Sequence, residues 1–375
     1  MPKTWLEISR KALVHNYKAI QTLVRPARVT PVIKANAYGH GMPEVAKILA
    51  PLHPPFFSVD SLDEALGLRD NKIKTPVLVL GYVPLTSLRA AYQKNLSLTV
   101  YNLESVRALE KIATEQRPAN IHLKIETGLV RQGVQPADLP RLIRELKRAK
   151  HVRLEGVSTH FANIEDTRND TFAKLQLSRL NDALRELEKS GLKPRFVHSA
   201  CSAAAILYPQ THFNLVRLGI SLYGLWSSEL TELTAKMRKT KLGLEPALTW
   251  KTCIAQIKRI PAGTPVGYGL TDVVKRPTTV AVLPVGYADG YDRGLSNRGA
   301  VLIRGRRCPI LGRICMNICM ADVTDVPAVR LEDEVVLIGR QQNQKITPED
   351  VAKKIDTINY EIVARINPLI SRRIV

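Results

Sequence analysis

Cysteine is scarce in this sequence, with 5 in 375 residues. The count is odd and no C-x-x-C pair occurs, which argues against a disulfide framework and against a zinc-finger spacing. Cys315 and Cys319 lie within an apolar run, where buried thiols are the expected interpretation. We therefore expect a reduced, cytoplasmic protein that holds no metal.

Long apolar segments are also missing. The longest apolar stretch, residues 76–83, is far shorter than the roughly 20 residues that a membrane-spanning helix needs. The opening residues, MPKTWLEIS, contain no continuous apolar core, so we expect no signal peptide. The sequence therefore predicts no membrane partner.

Acidic residues are outnumbered, with 34 Asp and Glu against 55 Lys and Arg, which gives a formal charge of +21. Such an excess raises the hypothesis of nucleic-acid binding. The basic residues are scattered, however, over segments 144–153, 236–241, 304–307 and 372–373, and no motif places them on an element that reads a groove. We therefore expect no nucleic-acid partner.

Short β-branched runs alternate with helical patterns over the first two thirds of the chain. This alternation predicts a parallel sheet, and an eight-fold repeat of this size favours a closed (β/α)8 barrel, of the TIM type, over residues 9–234. A doubly wound open sheet is the alternative. The eight predicted strands are residues 31–33, 56–59, 77–83, 96–101, 121–125, 154–159, 196–198 and 215–222.

The pattern changes after residue 234. Strand-like runs broken by Gly and Pro occupy the rest of the chain, and no long helical pattern appears before residues 348–355. We predict a mostly-β C-terminal domain over residues 235–375 and a strand at residues 3–8 that packs on it. The predicted fold class is thus α/β, a barrel followed by a mostly-β domain.

One lysine stands out at the end of an apolar strand. Lys34 lies in the segment PVIKANAYGHG, residues 31–41, where a turn of small residues comes directly after it. Catalytic residues of barrel enzymes come from the carboxyl ends of the strands, and a partly desolvated lysine is a competent amine nucleophile. From the residue alone, a surface lysine whose stem covers the barrel rim is the alternative.

The segment at residues 32–41 resembles the pyridoxal-phosphate attachment motif of alanine racemases, and the similarity continues over nearly the whole chain. The family fold, a (β/α)8 barrel followed by a β domain, agrees with the architecture that the strand pattern predicts. The other matching segments are residues 127–128 with Arg131 and Gly133, 159–162, 199–204, 216–224, 266–269, 284–290, 312–316 and 359–361.

The resemblance implies pyridoxal 5′-phosphate as the cofactor, carried by Lys34 as an aldimine. Arg217 would face the pyridine nitrogen. Because arginine is always a cation, it would leave that nitrogen unprotonated and favour return of the proton over transamination. The phosphate contacts that the resemblance implies come from Tyr38, Ser202, Gly219 and Ile220.

The resemblance also implies an isomerase with two bases. Lys34 would act on the D-substrate and Tyr268 on the L-substrate, with His160 and Arg217 as the relay to the tyrosine. In this family the tyrosine comes from the β domain of the other subunit, so a homodimer with shared active sites is implied.

Substrate binding is implied for several further residues. Arg131 would bind the substrate carboxylate, a task that suits its planar fork. Lys124 matches the family lysine that can be carbamylated to orient this arginine. Tyr287 and the backbone of Met316, from the partner chain, would line a small pocket that suits a methyl side chain. The implied activity is interconversion of L- and D-alanine, supplying D-alanine for peptidoglycan.

Three other interpretations share part of this pattern. A broader-specificity or serine racemase would keep every catalytic residue and differ only in the pocket. A pyridoxal-phosphate decarboxylase of related fold would place an acid near the pyridine nitrogen, which Arg217 argues against. A pyridoxal-phosphate carrier protein would be a lone barrel, which the β domain with Tyr268 argues against.

Overall fold

The structure is a computed structural model that describes residues 2–375. Two compact units make up the chain. The barrel unit comprises Ala12–Ala35 and Val45–Pro246, and the β unit comprises the chain up to Lys11, Asn36–Glu44 and Ala247–Val375. The compact units divide after Pro246. The domain boundary predicted between residues 234 and 235 stays a prediction.

The first strand, β1 (Thr4–Ile8), belongs to the β unit, and the next eight strands build the barrel unit. All eight predicted barrel strands are present, and four of them are shorter than predicted. The barrel strands are β2 (Arg28–Pro31), β3 (Phe57–Val59), β4 (Val77–Val79), β5 (Ser97–Val100), β6 (Ala119–Lys124), β7 (Val152–Ser158), β8 (Phe196–His198) and β9 (Leu215–Leu218).

The barrel strands pair in parallel. Strands β3 to β8 form one continuous ladder in chain order, and β2 pairs with β9. A parallel bridge from Val32 to Ser58 joins β2 to β3, and Arg217 N–H donates to Ala200 O at 3.1 Å between the ends of β9 and β8. The predicted (β/α)8 fold class is therefore confirmed.

The helices mostly alternate with the barrel strands, and side-chain caps begin several of them. Ser61 Oγ accepts the Glu64 N–H at 3.2 Å, and Asn102 Oδ1 accepts the Ser105 N–H at 2.9 Å. The helices are α1 (Arg10–Leu23), α2 (Lys34–Tyr38), α3 (Met42–Leu49), α4 (Leu62–Asp70), α5 (Leu88–Gln93), α6 (Leu103–Ile112), α7 (Leu139–Arg148), α8 (Thr171–Lys189), α9 (Ser202–Leu207), α10 (Glu229–Met237), α11 (Pro348–Lys354) and α12 (Asn359–Ala364).

The β unit is built on a ten-stranded sheet in which β1 pairs with β10 and β20. The sheet order is β11-β14-β17-β16-β15-β18-β10-β1-β20, with β19 on β18, and β12 pairs with β13 separately. The strands are β10 (Leu248–Cys253), β11 (Gln256–Ile260), β12 (Pro265–Val266), β13 (Asp272–Val273), β14 (Thr278–Leu283), β15 (Ala300–Ile303), β16 (Arg306–Leu311), β17 (Cys319–Asp322), β18 (Glu334–Gln341), β19 (Gln344–Ile346) and β20 (Ser371–Ile374).

Helix α2 is a left-handed turn. Four consecutive non-glycine residues, 35 to 38, have φ angles of 51° to 54°, a region that costs L-residues about 1–2 kcal/mol each. Local hydrogen bonds hold the turn and the residues after it. The Asn36 side chain accepts the Met42 N–H at 2.8 Å, and Arg372 Nη2 donates to Gly39 O at 3.0 Å.

No helix within residues 2–375 has both the length and the apolar composition that crossing a bilayer requires.

Gly39 comes directly after the left-handed turn, with a φ of +82°. A Cβ at this position would overlap the carbonyl oxygen of Val363 in the β unit. We expect Gly39→Ala to destabilise the protein by about 3 kcal/mol or more, because the cost of the positive φ and the cost of the overlap add. Urea-induced unfolding monitored by fluorescence measures the change.

Gly263→Ala is the matched control, since Gly263 has a φ of +81° in the same unit and no atom within 4 Å of the added Cβ. It should cost only about 1–2 kcal/mol. Equal shifts of the unfolding midpoint in the two variants would contradict the role assigned to the Val363 contact.

Candidate active site

The carboxyl ends of the barrel strands carry the predicted site residues of the barrel unit. Lys34 lies shortly after β2, and its Nζ lies 3.0 Å from Asp60 Oδ1, just beyond the end of β3. Lys34 also interacts electrostatically with Lys124 and His160. The fold therefore gathers amines and an imidazole that lie far apart in the sequence.

Arg217, on β9, is the buried cation of this site and is 7% exposed. Its Nη1 donates to His198 Nδ1 at 2.6 Å and to His198 O at 2.8 Å. Its Nη2 donates to Thr159 O at 2.8 Å, to Ser199 O at 3.1 Å and to His160 Nδ1 at 3.2 Å. All Nη hydrogens are thus engaged, whereas among residues 2–375 no acceptor is found for the Nε–H.

The bonds of Arg217 determine the tautomers of the histidines around it. A guanidinium only donates, so Nδ1 of His198 accepts and its Nε2 carries the proton. That proton points along a 2.8 Å contact to His122 Nδ1, which leaves Nε2 of His122 to donate to Glu155 Oε2 at 3.4 Å. A directed chain therefore runs from Arg217 through two imidazoles to a carboxylate.

The strand that carries Glu155 also makes room for this chain. Gly156 lies beside His122, and a Cβ at residue 156 would overlap the imidazole ring. The register between β6 and β7 shifts at the same place, between Ile121 and His122. Ser97 Oγ, on β5, donates to Glu155 Oε2 at 2.6 Å. Backbone irregularity and a missing side chain thus admit a buried histidine into the barrel.

Burial and neighbouring charge keep the imidazoles neutral. Burial, together with the charge of Arg217, holds the pKa values of His160 and His198 well below the usual histidine value. Burial also lowers the pKa of Arg217 to about 10, so the guanidinium remains a cation at neutral pH. The relay predicted from His160 to Arg217 is therefore a neutral acceptor beside a permanent donor.

Lys124, at the end of β6, is the second amine of the site. Burial, reinforced by the charges of Arg217, Arg131 and Lys34, lowers the pKa of Lys124 to about 8. Its Nζ donates to Gln132 Oε1 at 3.2 Å. A sizeable fraction of this amine is therefore neutral near pH 8, which is the form that reacts with carbon dioxide.

Glu126 organises the loop that carries Arg131. Its Oε1 accepts the Gly128 N–H at 2.5 Å, and its Oε2 accepts the Arg131 N–H at 3.3 Å. Burial acts to raise the pKa of Glu126, but these backbone donors bring it below the usual value. The carboxylate thus stays ionised and sets the position of the Arg131 backbone.

Ser202, Gly219 and Ile220 lie together at the ends of β8 and β9. Ser202 Oγ accepts the Gly219 N–H at 3.1 Å and the Ser221 N–H at 3.3 Å, so its hydroxyl proton remains free to donate. Ile220 is buried, and within residues 2–375 its N–H has no acceptor. Because buried N–H groups are rarely left unpaired, the two free donors fit an anion such as a phosphate.

Four predicted site residues belong to the β unit, namely Tyr38, Tyr268, Tyr287 and Met316. Tyr268 stands in a turn between two glycines of positive φ and is 72% exposed. Tyr287 and Met316 are also exposed, and they lie close together because Tyr287 N–H donates to Cys315 O at 3.1 Å. The ring of Tyr38 lies 6.1 Å from the ring of Tyr360.

Sequence reasoning missed Asp60, His122, Glu155 and His198. The two histidines could have been noticed, because each interrupts an apolar strand and a buried histidine needs a partner. Asp60 and Glu155 carry no comparable local signal, since exposed and half-buried acids are common on loops and strands. Their partners lie 26 and 33 residues away in the chain.

The fold and these residues define an enzyme of the amino acid racemase class, an isomerase. The family described as "Alanine racemase, N-terminal domain" matches residues 8–227, and "Alanine racemase, C-terminal domain" matches residues 247–374. The chain belongs to the alanine racemase family. This membership supports a racemase over the decarboxylase and the carrier protein.

Individual relatives agree over nearly the whole chain. An alanine racemase of Symbiobacterium thermophilum is 41% identical over 99% of this chain and 97% of its own. One of Methanococcus maripaludis is 38% identical over 98% of this chain and 97% of its own.

Solved structures give the same result. The alanine racemase of Clostridium difficile 630 superposes with a TM-score of 0.93 at 32% identity, over 100% of this chain and 96% of that chain. The Bacillus anthracis enzyme with bound L-Ala-P superposes with a TM-score of 0.92 at 34% identity, over 100% of this chain and 95% of that chain.

The depressed pKa of Lys124 has a measurable consequence. Carbon dioxide adds only to a neutral amine, whose lone pair forms the carbon–nitrogen bond while one proton leaves to water. We expect protein incubated with carbon-13 bicarbonate to show a carbamate resonance whose intensity rises as the pH rises through about 8.

Lys124→Met should remove this resonance, whereas Lys18→Met, at an exposed lysine of α1, should retain it. A signal of the same intensity in Lys124→Met would show that the modification lies elsewhere.

Proposed function

We propose that this enzyme interconverts L-alanine and D-alanine with pyridoxal 5′-phosphate as its cofactor. Lys34 is the base for the D-substrate and Tyr268 the base for the L-substrate. The observation that carries the proposal is the set of cations around Lys34 at the barrel's strand ends, since Lys124, Arg131 and Arg217 suit an anionic cofactor and a carboxylate substrate.

The residues of the barrel unit fit this cofactor. Lys34 supplies the amine for its aldehyde, the Ser202 hydroxyl and the Ile220 N–H supply donors for its phosphate, and the Nε–H of Arg217 supplies a donor for its ring nitrogen. When bound, the cofactor withdraws electrons from the substrate Cα and so acidifies the proton there. Tyr38 is a further proposed phosphate contact, whereas the predicted donor of Gly219, its N–H, is already bound to Ser202 Oγ.

Arg217 limits how strongly the bound cofactor withdraws electrons from the substrate Cα. The Arg217 guanidinium would donate a hydrogen bond to the ring nitrogen. A carboxylate at this position would stabilise a protonated ring nitrogen, whereas an arginine, which is always a cation, would not. Its Nη groups are held by three backbone carbonyl oxygens and two imidazoles, so the side chain has no freedom to turn away. Arg217 thereby favours return of the proton to Cα over transamination.

Racemisation requires removal of the Cα proton from one face and its return to the other. Lys34 Nζ serves one face and Tyr268 Oη the other, so each accepts a proton in one direction and donates it in the reverse. His160 is neutral and accepts at Nδ1 from Arg217, which leaves its Nε2–H as a donor. That donor stabilises the tyrosine oxygen when it has lost its proton.

Substrate recognition is proposed for Arg131, Lys124, Tyr287 and Met316. Arg131 binds the substrate carboxylate, and Glu126 holds its backbone in place. A carbamate on Lys124 orients the Arg131 guanidinium. Tyr287 and the Met316 backbone line a small pocket that suits a methyl group.

A homodimer completes this arrangement, with Tyr268, Tyr287 and Met316 acting on the partner's barrel. The support is the exposure of apolar and aromatic side chains in two segments of the β unit, residues 268–273 and 287–318, which are joined where the Gly312 N–H donates to Asp272 Oδ2 at 3.3 Å. Such exposed groups are typical of surfaces that another chain covers. The exposed side chains are Tyr268, Leu270, Val273, Tyr287, Met316 and Ile318.

We further propose that the enzyme works in the cytoplasm and supplies D-alanine for peptidoglycan. All five cysteines are free in the described chain, which suits a reducing compartment.

The two-base assignment is tested by Tyr268→Phe. Loss of the phenolic hydroxyl should slow exchange of the L-alanine Cα proton with solvent deuterium by about 10²–10⁴-fold, the usual contribution of a positioned acid–base group. Exchange from D-alanine should fall far less, because Lys34 still serves that face. Mass spectrometry of each enantiomer in deuterium oxide measures both rates.

Tyr82→Phe, at an exposed tyrosine of the barrel unit, is the control and should leave both rates unchanged. An equal loss from the two enantiomers in Tyr268→Phe would contradict the assignment of one base to each face.

A further inference from the structure

We propose that Asp60 is the counter-ion of Lys34 in the cofactor-free protein and that it slows attachment of the cofactor by holding the lysine as an ammonium. This inference rests on the proposed function, in which Lys34 carries the cofactor. It makes Asp60 a positioning residue that acts through Lys34 and needs no contact with the substrate.

The geometry of the pair is direct. Lys34 Nζ donates to Asp60 Oδ1 at 3.0 Å. The side chains are 40% and 55% exposed, so water and salt reach the pair and its strength is that of a surface ion pair. Such a pair is weak enough to open when the cofactor arrives and strong enough to bias the protonation of a free amine.

Asp60 is held in place by its backbone. Its N–H donates to Glu64 Oε2 at 2.7 Å, and the other oxygen of Glu64 accepts the Ala35 N–H at 2.6 Å. One carboxylate thus fastens the loop of Lys34 to the loop of Asp60. Gly81 packs against the Asp60 carbonyl, where a Cβ would overlap it. The ion pair therefore joins two loops whose spacing is already set.

Glu64 does not compete with Asp60 for the lysine. Both of its oxygens accept backbone N–H groups, whereas Asp60 presents its carboxylate to Lys34 Nζ. The other charged groups that act on this region are cations or a neutral imidazole: Lys124 on β6, Arg131 after β6, His160 after β7 and Arg217 on β9. Within residues 2–375, Asp60 is thus the carboxylate that forms an ion pair with Lys34.

The chemistry of cofactor attachment explains why the carboxylate of Asp60 matters. The Lys34 ammonium must first release one proton to water, since only the neutral amine has a lone pair. The lone pair then attacks the aldehyde carbon, a carbon–nitrogen double bond forms, and the aldehyde oxygen leaves as water. A carboxylate beside Nζ favours the charged amine, so it lowers the fraction that can react.

The test compares full-length wild-type protein with Asp60→Asn and Asp60→Ala, each stripped of cofactor and mixed rapidly with pyridoxal 5′-phosphate. Absorbance measures the attachment rate from about pH 6 to about pH 10. We expect both variants to attach the cofactor about twofold to fivefold faster at neutral pH, the size expected for an exposed ion pair. The difference should shrink as the pH rises, because the neutral fraction of the amine then rises in every form.

Asp63→Asn is the matched control. Asp63 lies three residues further on, in the first turn of α4, is exposed and makes no ion pair within residues 2–375. The Asp63→Asn substitution removes the same charge as Asp60→Asn, and the variant protein should attach the cofactor at the wild-type rate. Raised salt should shrink the effect of Asp60→Asn, because it screens the pair.

Two outcomes would overturn the proposal. One is an equal attachment rate in wild type and Asp60→Asn at every pH. The other is a faster rate in Asp60→Asn that persists at alkaline pH with pyridoxal 5′-phosphate but is absent with pyridoxal, which lacks the phosphate. That pattern would show that Asp60 merely repels the cofactor's phosphate.

Failure of the proposed function has a different signature. Borohydride reduction and then peptide mass spectrometry locate the attached cofactor in each protein. Absence of the cofactor from Lys34 in wild type would overturn the proposed function and the Asp60 inference together. Cofactor on Lys34 in every protein, with unchanged attachment rates, would overturn the Asp60 inference alone.

Discussion

The burial of the Arg217 guanidinium is the constraint on which the barrel end depends. A buried cation is costly unless its donors are satisfied, and here three backbone carbonyl oxygens and two imidazoles satisfy the Nη groups. These partners come from the ends of β7 and β8 and from the residues just beyond them. The positions of those strand ends therefore depend on the Arg217 side chain. Within residues 2–375 the Nε–H of Arg217 has no acceptor, so it is the donor that remains for a ligand.

The same constraint orders the charge inside the barrel. Arg217 has no carboxylate in direct contact within residues 2–375, and Glu155 lies two imidazoles away along a chain of fixed donors. Because Glu155 is hydrogen-bonded by His122 and Ser97, the pKa of its carboxyl stays below the usual value even though burial acts to raise it. Positive charge thus lies toward the strand ends, where Lys34, Lys124 and Arg131 add to it. Much of the overall charge of +21 has no such role and covers the surface.

The alternation of apolar runs was sufficient to predict the barrel strands, because burial on both faces leaves a strong pattern in each strand. Lys34 was conspicuous as a charged residue at the end of an apolar strand, whereas Arg217 was found only through the resemblance of residues 216–224 to the family. The left-handed turn at residues 35–38 could not, because ordinary residues such as Ala35 and Ala37 carry no sign of a positive φ. Asp60 and Glu155 were missed because their importance comes from partners that only the folded chain brings near.

The most direct test of the role of Lys34 monitors the optical rotation of L-alanine incubated with the purified enzyme, before and after borohydride reduction. We predict that rotation decays toward zero with the native enzyme. Reduction should fix the cofactor on Lys34 and abolish that decay, and peptide mapping should locate the modification at residue 34. Racemisation that survives reduction would contradict the claim that the reaction passes through Lys34.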